Sequence, residues 1–169
     1  MPHPLLLGLA LALLSLTLPP PGLQAATPTS QIDEDVIRQV VLRANSDEIY
    51  SQAYRTGNID VLRAAWGGEA LLDMEEDIGG LRRFGQYLDL TLEDLEFQRI
   101  TELGPGRVRA VTLERWLARL HQTDGTYVGF QRQVVENRYL LERQGDVWYI
   151  TEADQEVQGG DPVFRPGEP

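Results

Sequence analysis

Few residues in this chain are equipped for chemistry, and Glu114 is the foremost of them. It falls in a run where Val108, Ala110, Thr112, Glu114, Trp116, Ala118 and Leu120 share one parity, the period-two pattern of a strand. One carboxyl group therefore sits among the residues of a largely apolar face. Such a group is costly to bury unless it is paired, and the expected partner is Arg138 or Arg132 on the neighbouring strand. A carboxyl group left unpaired in an apolar cavity is the usual source of a general acid or base working near neutral pH. His121 is the only His besides His3. It stands before a hairpin turn, where a solvated strand-end residue is expected. A single His cannot build a His-rich metal site, although it can serve as a base. The acidic run Asp73-Met74-Glu75-Glu76-Asp77 has the oxygen ligands that suit Ca²⁺ or Mg²⁺. It lacks the alternating Asp/Asn and the Gly of a calcium loop, so it reads as a solvated helix end, and no metal or cofactor is expected. Arg107, Arg109, Arg115 and Arg119 form a basic ladder on the opposite parity of the same run, with Glu93, Asp94, Glu96, Glu136 and Glu142 as expected cross-strand partners.

Composition removes many other chemistries. There is no Cys, which excludes disulfides, thiolate catalysis, iron–sulfur clusters, Cys-ligated zinc and an N-terminal lipid-modified Cys. All fifteen basic residues are Arg, so Schiff-base and Lys-activated mechanisms are absent. A net charge of −11 repels nucleic acid and anionic membrane surfaces. The sequence has no nucleophile elbow, P-loop, dinucleotide fingerprint or H-E-x-x-H. At 169 residues and 42% hydrophobic content, the chain can form one domain with a real core.

The elements that would position these residues fall into two blocks. Ser30 with Asp33 resembles a capping box, and Asp33, Glu34 and Asp35 suit a first helical turn. Val36, Ile37, Val40, Val41, Ala44, Tyr50, Ala53 and Tyr54 continue a helical stripe to Gly57, a natural helix end. Asn58 or Asp60 caps a second helix with Ile59, Leu62, Ala65 and Trp66, which Gly67-Gly68 interrupts. Gly79-Gly80 breaks the chain again, and Leu81, Phe84, Tyr87 and Leu88 suggest a short third helix. Beyond Leu90 the pattern is that of strands: one with Leu95 and Phe97, the alternating run after Gly104-Pro105-Gly106, a third from Tyr127 to Arg143 after the hairpin signal Asp124-Gly125, and Val147–Thr151 after Gln144-Gly145-Asp146. Helices followed by an antiparallel meander define an α+β fold.

The N-terminus reads as an address. Leu5 to Leu18 are almost all Leu and Ala, short for a bilayer core but right for a signal-peptide core, with Pro19-Pro20-Pro21-Gly22 and then Ala25-Ala26 as a cleavage region; the alternative is an uncleaved membrane anchor. The expected organisation is a signal peptide at 1–25, a linker at 26–31, a domain at 32–153 and a flexible acidic tail at 154–169.

Three stretches resemble the nuclear transport factor 2-like, or cystatin-like, superfamily. They are Tyr54-Arg55-Thr56-Gly57-Asn58-Ile59-Asp60-Val61-Leu62 after the first helix, the strand Arg107–Trp116, and the closing hairpin Tyr139–Ile150. The branch most similar is the IMS-type domain. The resemblance implies N-terminal helices packed in the concave face of a curved, mostly antiparallel four-stranded sheet, forming a cone. It implies a pocket lined by Tyr50, Tyr54, Trp66, Trp116 and Trp148, with Tyr50 and Tyr54 closing over Glu114. It also implies a non-catalytic binding or scaffold module that takes a protein partner or a small apolar ligand, and that can form a homodimer through its sheet, while the N-terminal address, a departure from that branch, adds export to the periplasm or the extracellular space. The alternative is a small pocket isomerase or hydrolase, of the ketosteroid isomerase-like or SnoaL-like kind, using Glu114 as acid or base. An open pocket with an unpaired Glu114 would mark the enzyme, whereas a filled cone with a Glu114–Arg pair would mark the scaffold.

Overall fold

Residues 32–168 are described by a computed structural model. The expected signal peptide, the linker and the Ser30 half of the capping box lie outside the described residues. Within them, Asp33 alone caps the first helix, accepting from the Asp35 amide at 3.0 Å. Helix α1 (Glu34–Ala44) buries Ile37, Val41 and Ala44. It does not continue to Gly57 as one rod. Asn45 turns inward, its side-chain amide donating to the Val41 carbonyl and the Tyr139 hydroxyl, and this competition with the backbone ends the helix. A π-helical turn (Asp47–Ser51) and helix α2 (Gln52–Thr56) follow, ending at Gly57 with φ +75°. The segment Ile59–Ala64, expected as α-helix, is a 3₁₀-helix capped by Asn58.

Helix α3 (Gly68–Arg83) runs through Gly79-Gly80 rather than breaking there. Two helical glycines cost about 1 kcal/mol each relative to Ala, and the burial of Ala70, Leu71, Met74 and Ile78 outweighs that cost. The short third helix expected around Leu81–Leu88 is absent. The chain leaves α3 at Gly85, φ +67°, and Tyr87 and Leu88 belong to the first strand, while Phe84 is left 79% exposed.

The sheet is a meander of β1 (Gln86–Gly104), β2 (Arg107–Gln122), β3 (Tyr127–Gln144) and β4 (Val147–Gly160), in that order and antiparallel throughout. Register shifts interrupt β1 against β2 at Leu92/Asp94, Phe97/Arg99 and Glu102/Gly104. Each such bulge bends the strand and increases its twist. The helices pack on the concave side against Val108, Ala110, Tyr139, Leu141 and Ile150. Hence the architecture is α+β, with a helical layer held in a curved four-stranded sheet.

The layer is also tied to the sheet by backbone. Trp66 forms a parallel bridge to Ile150, with Gly67 N–H donating to the Ile150 carbonyl and Ile150 N–H to Ala65, both at 2.9 Å. The approach is close enough that a Cβ at Gly68 (φ +53°) would lie 2.7 Å from the Thr151 carbonyl oxygen. Only Gly fits a left-handed turn at that separation. The segment 154–169, expected as a loose tail, is partly built into the sheet. β4 runs past Thr151 to Gly160, and Arg165 exchanges two backbone hydrogen bonds with Phe130. Among the described residues no helix is long and apolar enough to cross a membrane.

Candidate functional site

The bent sheet and the helices do not close completely. Between them lies a cavity of about 440 Å³, within the roughly 300–1,000 Å³ typical of ligand sites. The π-helical turn and α2 supply Tyr50 and Tyr54, and Trp66 precedes α3, which supplies Met74, Leu81, Asp73 and Asp77. Leu88 and Leu90 come from β1 and Glu114, Trp116 and Ala118 from β2, while β3 and β4 add Gln131, Gln133, Asn137, Tyr139, Ala153 and Gln155. Phe164, beyond β4, completes the wall. Two larger hollows, at Ile32–Asp35 with Ile100 and Glu102, and on the outer sheet face around Arg99, Leu113 and Arg138, hold no aromatic residue.

Tyr50 is the centre of an aromatic group. Its ring centroid lies 5.1 Å from Tyr54, 5.8 Å from Trp66 and 5.4 Å from Trp116, all tilted. Trp66 also meets Tyr139 edge to face at 6.0 Å and anchors its indole N–H on the Ala44 carbonyl at 3.0 Å. Trp148 is not in this group. It packs against the core from β4 and does not line the cavity.

Glu114 is 1% exposed, and no Arg is bonded to it. Arg138 pairs with Glu136 and Glu156, and Arg132 with Glu93, so the expected Glu114 pair with either Arg is overturned. The reason is parity. Arg138 lies on the outer sheet face with Val111 and Leu113, and the sheet itself separates it from Glu114. Four neutral donors hold the carboxylate instead. One oxygen accepts from Thr112 Oγ1 at 2.6 Å and Tyr139 OH at 2.8 Å. The other accepts from Trp116 Nε1 at 2.8 Å and Asn137 Nδ2 at 2.7 Å. Asn45 extends the network by donating to Tyr139 at 3.1 Å. Register makes the cluster. Thr112 faces Asn137 across β2 and β3, Glu114 faces Val135, and Ala110 faces Tyr139.

Burial sets the acidity of the tyrosines. Tyr50 is pushed up to about 12, chiefly by burial, with the Tyr54 hydroxyl offsetting part of the rise and the charges of Glu114 and Asp77 adding to it. Tyr54 and Tyr139 are raised well above the ordinary tyrosine range, Tyr54 by burial and then Tyr50, Tyr139 by burial and then Glu114. These phenols stay neutral hydrogen-bond donors at physiological pH. Asp77 is also raised, by burial first and then by Asp73 and Glu76.

The acidic run 73–77 is solvated as expected, with Asp73, Glu76 and Asp77 exposed, but it is not a helix end. It lies within α3, with Met74 buried and with Asp73 and Asp77, one turn apart, lining the cavity. Among the described residues no cluster of three or more potential ligands is placed to hold a metal. A raised carboxyl pKa means that the fold disfavours the charged form, and the stability held while Asp77 is protonated is lost as pH rises through its folded pKa. Asp77→Asn is accordingly expected to raise Tm at neutral pH and to leave it unchanged near pH 3, as thermal melts of both proteins across that range would show.

His121 is not a simple solvated residue. Its ring stacks on Tyr87 at 5.0 Å and meets Tyr127 at 5.4 Å, at the end of the sheet and outside the cavity. In the ladder, Arg107 pairs with Glu142 as expected, and Arg119 pairs with Asp89.

No protein-family signature and no curated relative matches the sequence. Solved structures do match its fold. The intermembrane space region of the chloroplast protein ARC6 superposes with a TM-score of 0.65 at 17% identity, covering 76% of this chain and 99% of that one. Hexachlorocyclohexane dehydrochlorinase LinA-type3 from Novosphingobium barchaimii LL02 gives 0.50 at 14% identity, over 80% of this chain and 98% of its own. A type 2 LinA gives 0.50 at 13% identity with the same coverage. The chain shares the fold of these structures, a helical layer against a curved antiparallel sheet, which is the architecture the sequence resemblance implied.

Proposed function

We propose that this chain is an exported, non-catalytic binding module that takes a small ligand with an apolar body into the cone cavity. The cavity is open and Glu114 has no Arg partner, as an enzyme would need, but the single observation that carries the binding reading is that the Glu114 carboxyl is fully hydrogen-bonded. Both Glu114 oxygens already accept two hydrogen bonds each, which fills a carboxylate's acceptor sites. To take a proton from a substrate, Glu114 would have to give up a buried donor. The surrounding rings and aliphatic side chains remain free to pack on a ligand. Export rests on the Leu/Ala-rich segment 5–18 of the sequence.

A cavity-filling variant tests the reading. Ala118 lines the cavity and is small. The neutral fluorophore N-phenyl-1-naphthylamine is expected to bind the protein at a single site, and Ala118→Trp is expected to weaken that binding at least about tenfold while the circular dichroism spectrum stays unchanged. Equal binding by both proteins would place the probe elsewhere and sink the proposal.

A further inference from the structure

We infer that the cavity is built for an organic cation, an amine or quaternary ammonium group carried on an apolar body. The inference rests on the binding-module reading and specifies its ligand. Three carboxyl groups line the cavity, the buried Glu114 from β2 and the exposed Asp73 and Asp77 from α3, while among the described residues no Arg and no His lines it. The absence is not for want of cations in the chain. Arg107, Arg119, Arg132 and Arg138 are each engaged with carboxylates elsewhere.

Glu114 is thus a buried carboxyl group held by four neutral donors, with no cationic side chain bonded to it among the described residues. Dipolar donors offset part of the cost of burying an anion, and a charge of opposite sign offsets more. The aromatic wall supplies the second feature. Tyr50, Tyr54, Trp66 and Trp116 stand with centroids within 5.8 Å of the Tyr50 ring, and the negative faces of such rings attract a desolvated cation. Acidic groups focused inside a concave site raise the local concentration of cations and repel anions. The lift in Asp77's pKa, caused by burial and by Asp73 and Glu76, agrees with an acidic stretch of the lining whose neighbouring charges are of one sign. Neutral glutamine side chains, Gln131, Gln133 and Gln155, line the remaining polar part and give an apolar ligand hydrogen bonds without opposing its charge.

Three probes of one shape separate charge from fit: benzyltrimethylammonium, its neutral carbon isostere neopentylbenzene, and the anion phenylmethanesulfonate. Each is titrated into the protein and followed by tryptophan fluorescence. The cation is expected to bind at least about tenfold more tightly than the neutral probe, and the anion not to bind measurably. In the Asp73→Asn/Asp77→Asn double variant, with its fold checked by circular dichroism, the preference for cation over neutral probe is expected to collapse to about threefold or less. Equal affinity for cation and neutral probe, or a preference that survives in the double variant, would overturn the cation assignment and leave the binding module standing. Failure of all three probes to bind, together with no effect of Ala118→Trp on naphthylamine binding, would overturn both.

Discussion

Replacing Glu114 with Leu is expected to cost the domain about 3–5 kcal/mol, because it removes two acceptor oxygens and strands four donors, three of them on buried residues. Thr112, Trp116, Asn137 and Tyr139 all point at the lost oxygens, and the apolar side chain satisfies none of them. Glu114→Gln should be far milder, about 1.5 kcal/mol or less. Its amide oxygen can accept from Trp116 Nε1 and Asn137 Nδ2, and its NH₂ can donate to Thr112 and Tyr139, whose hydroxyls can turn to accept. Urea denaturation of the three proteins gives the comparison. A Leu variant as stable as the Gln variant would show that the network contributes little to stability.

Trp66→Ala should have an effect of the same size, about 3–5 kcal/mol for a large buried ring. Trp66 is 4% exposed and packs on Tyr50 and Tyr139, and its removal leaves the Ala44 carbonyl without its indole donor. It also sits at the bridge to Ile150 that holds the helical layer on β4. Trp148→Ala should cost less, about 1–2 kcal/mol, since Trp148 is only partly buried at the edge of the core. Denaturant midpoints for the pair check the ranking, and equal losses would mean that Trp66 is no special anchor.

The α+β order and the strand-rich second half were legible because β2 alternates in burial from Val108 to Glu114, although the buried Leu117 breaks that parity beyond it. That parity alone placed Glu114 inside. Its true partners were not legible, because Thr112, Asn137 and Tyr139 come together only through the β2–β3 register, and bulges make register hard to count from sequence. An Arg partner for Glu114 was expected by charge, yet an Arg on the opposite parity of β3 cannot reach through the sheet. The short helix expected near Leu81–Leu88 came from reading Leu81, Phe84 and Leu88 at helical spacing. Gly85 followed by the alternation Leu88, Leu90, Leu92 carried the contrary and correct signal. Asp73 and Asp77 are solvated, as the acidic run suggested, and only the path of α3 shows that they also border the cavity. Phe164 enters through Phe130–Arg165 pairing, which no local pattern announces.

The three tryptophans offer the most direct test that the cone cavity is the ligand site. Trp66 and Trp116 line it, and Trp148 does not. Indole N–H resonances of ¹⁵N-labelled protein, assigned by single Trp→Phe variants, should be followed during titration with benzyltrimethylammonium and N-phenyl-1-naphthylamine. A ligand in the cavity predicts that the Trp66 and Trp116 signals move with the same saturation curve while Trp148 stays in place. Movement of Trp148 alone, or of none of the three under saturating probe, would contradict the account.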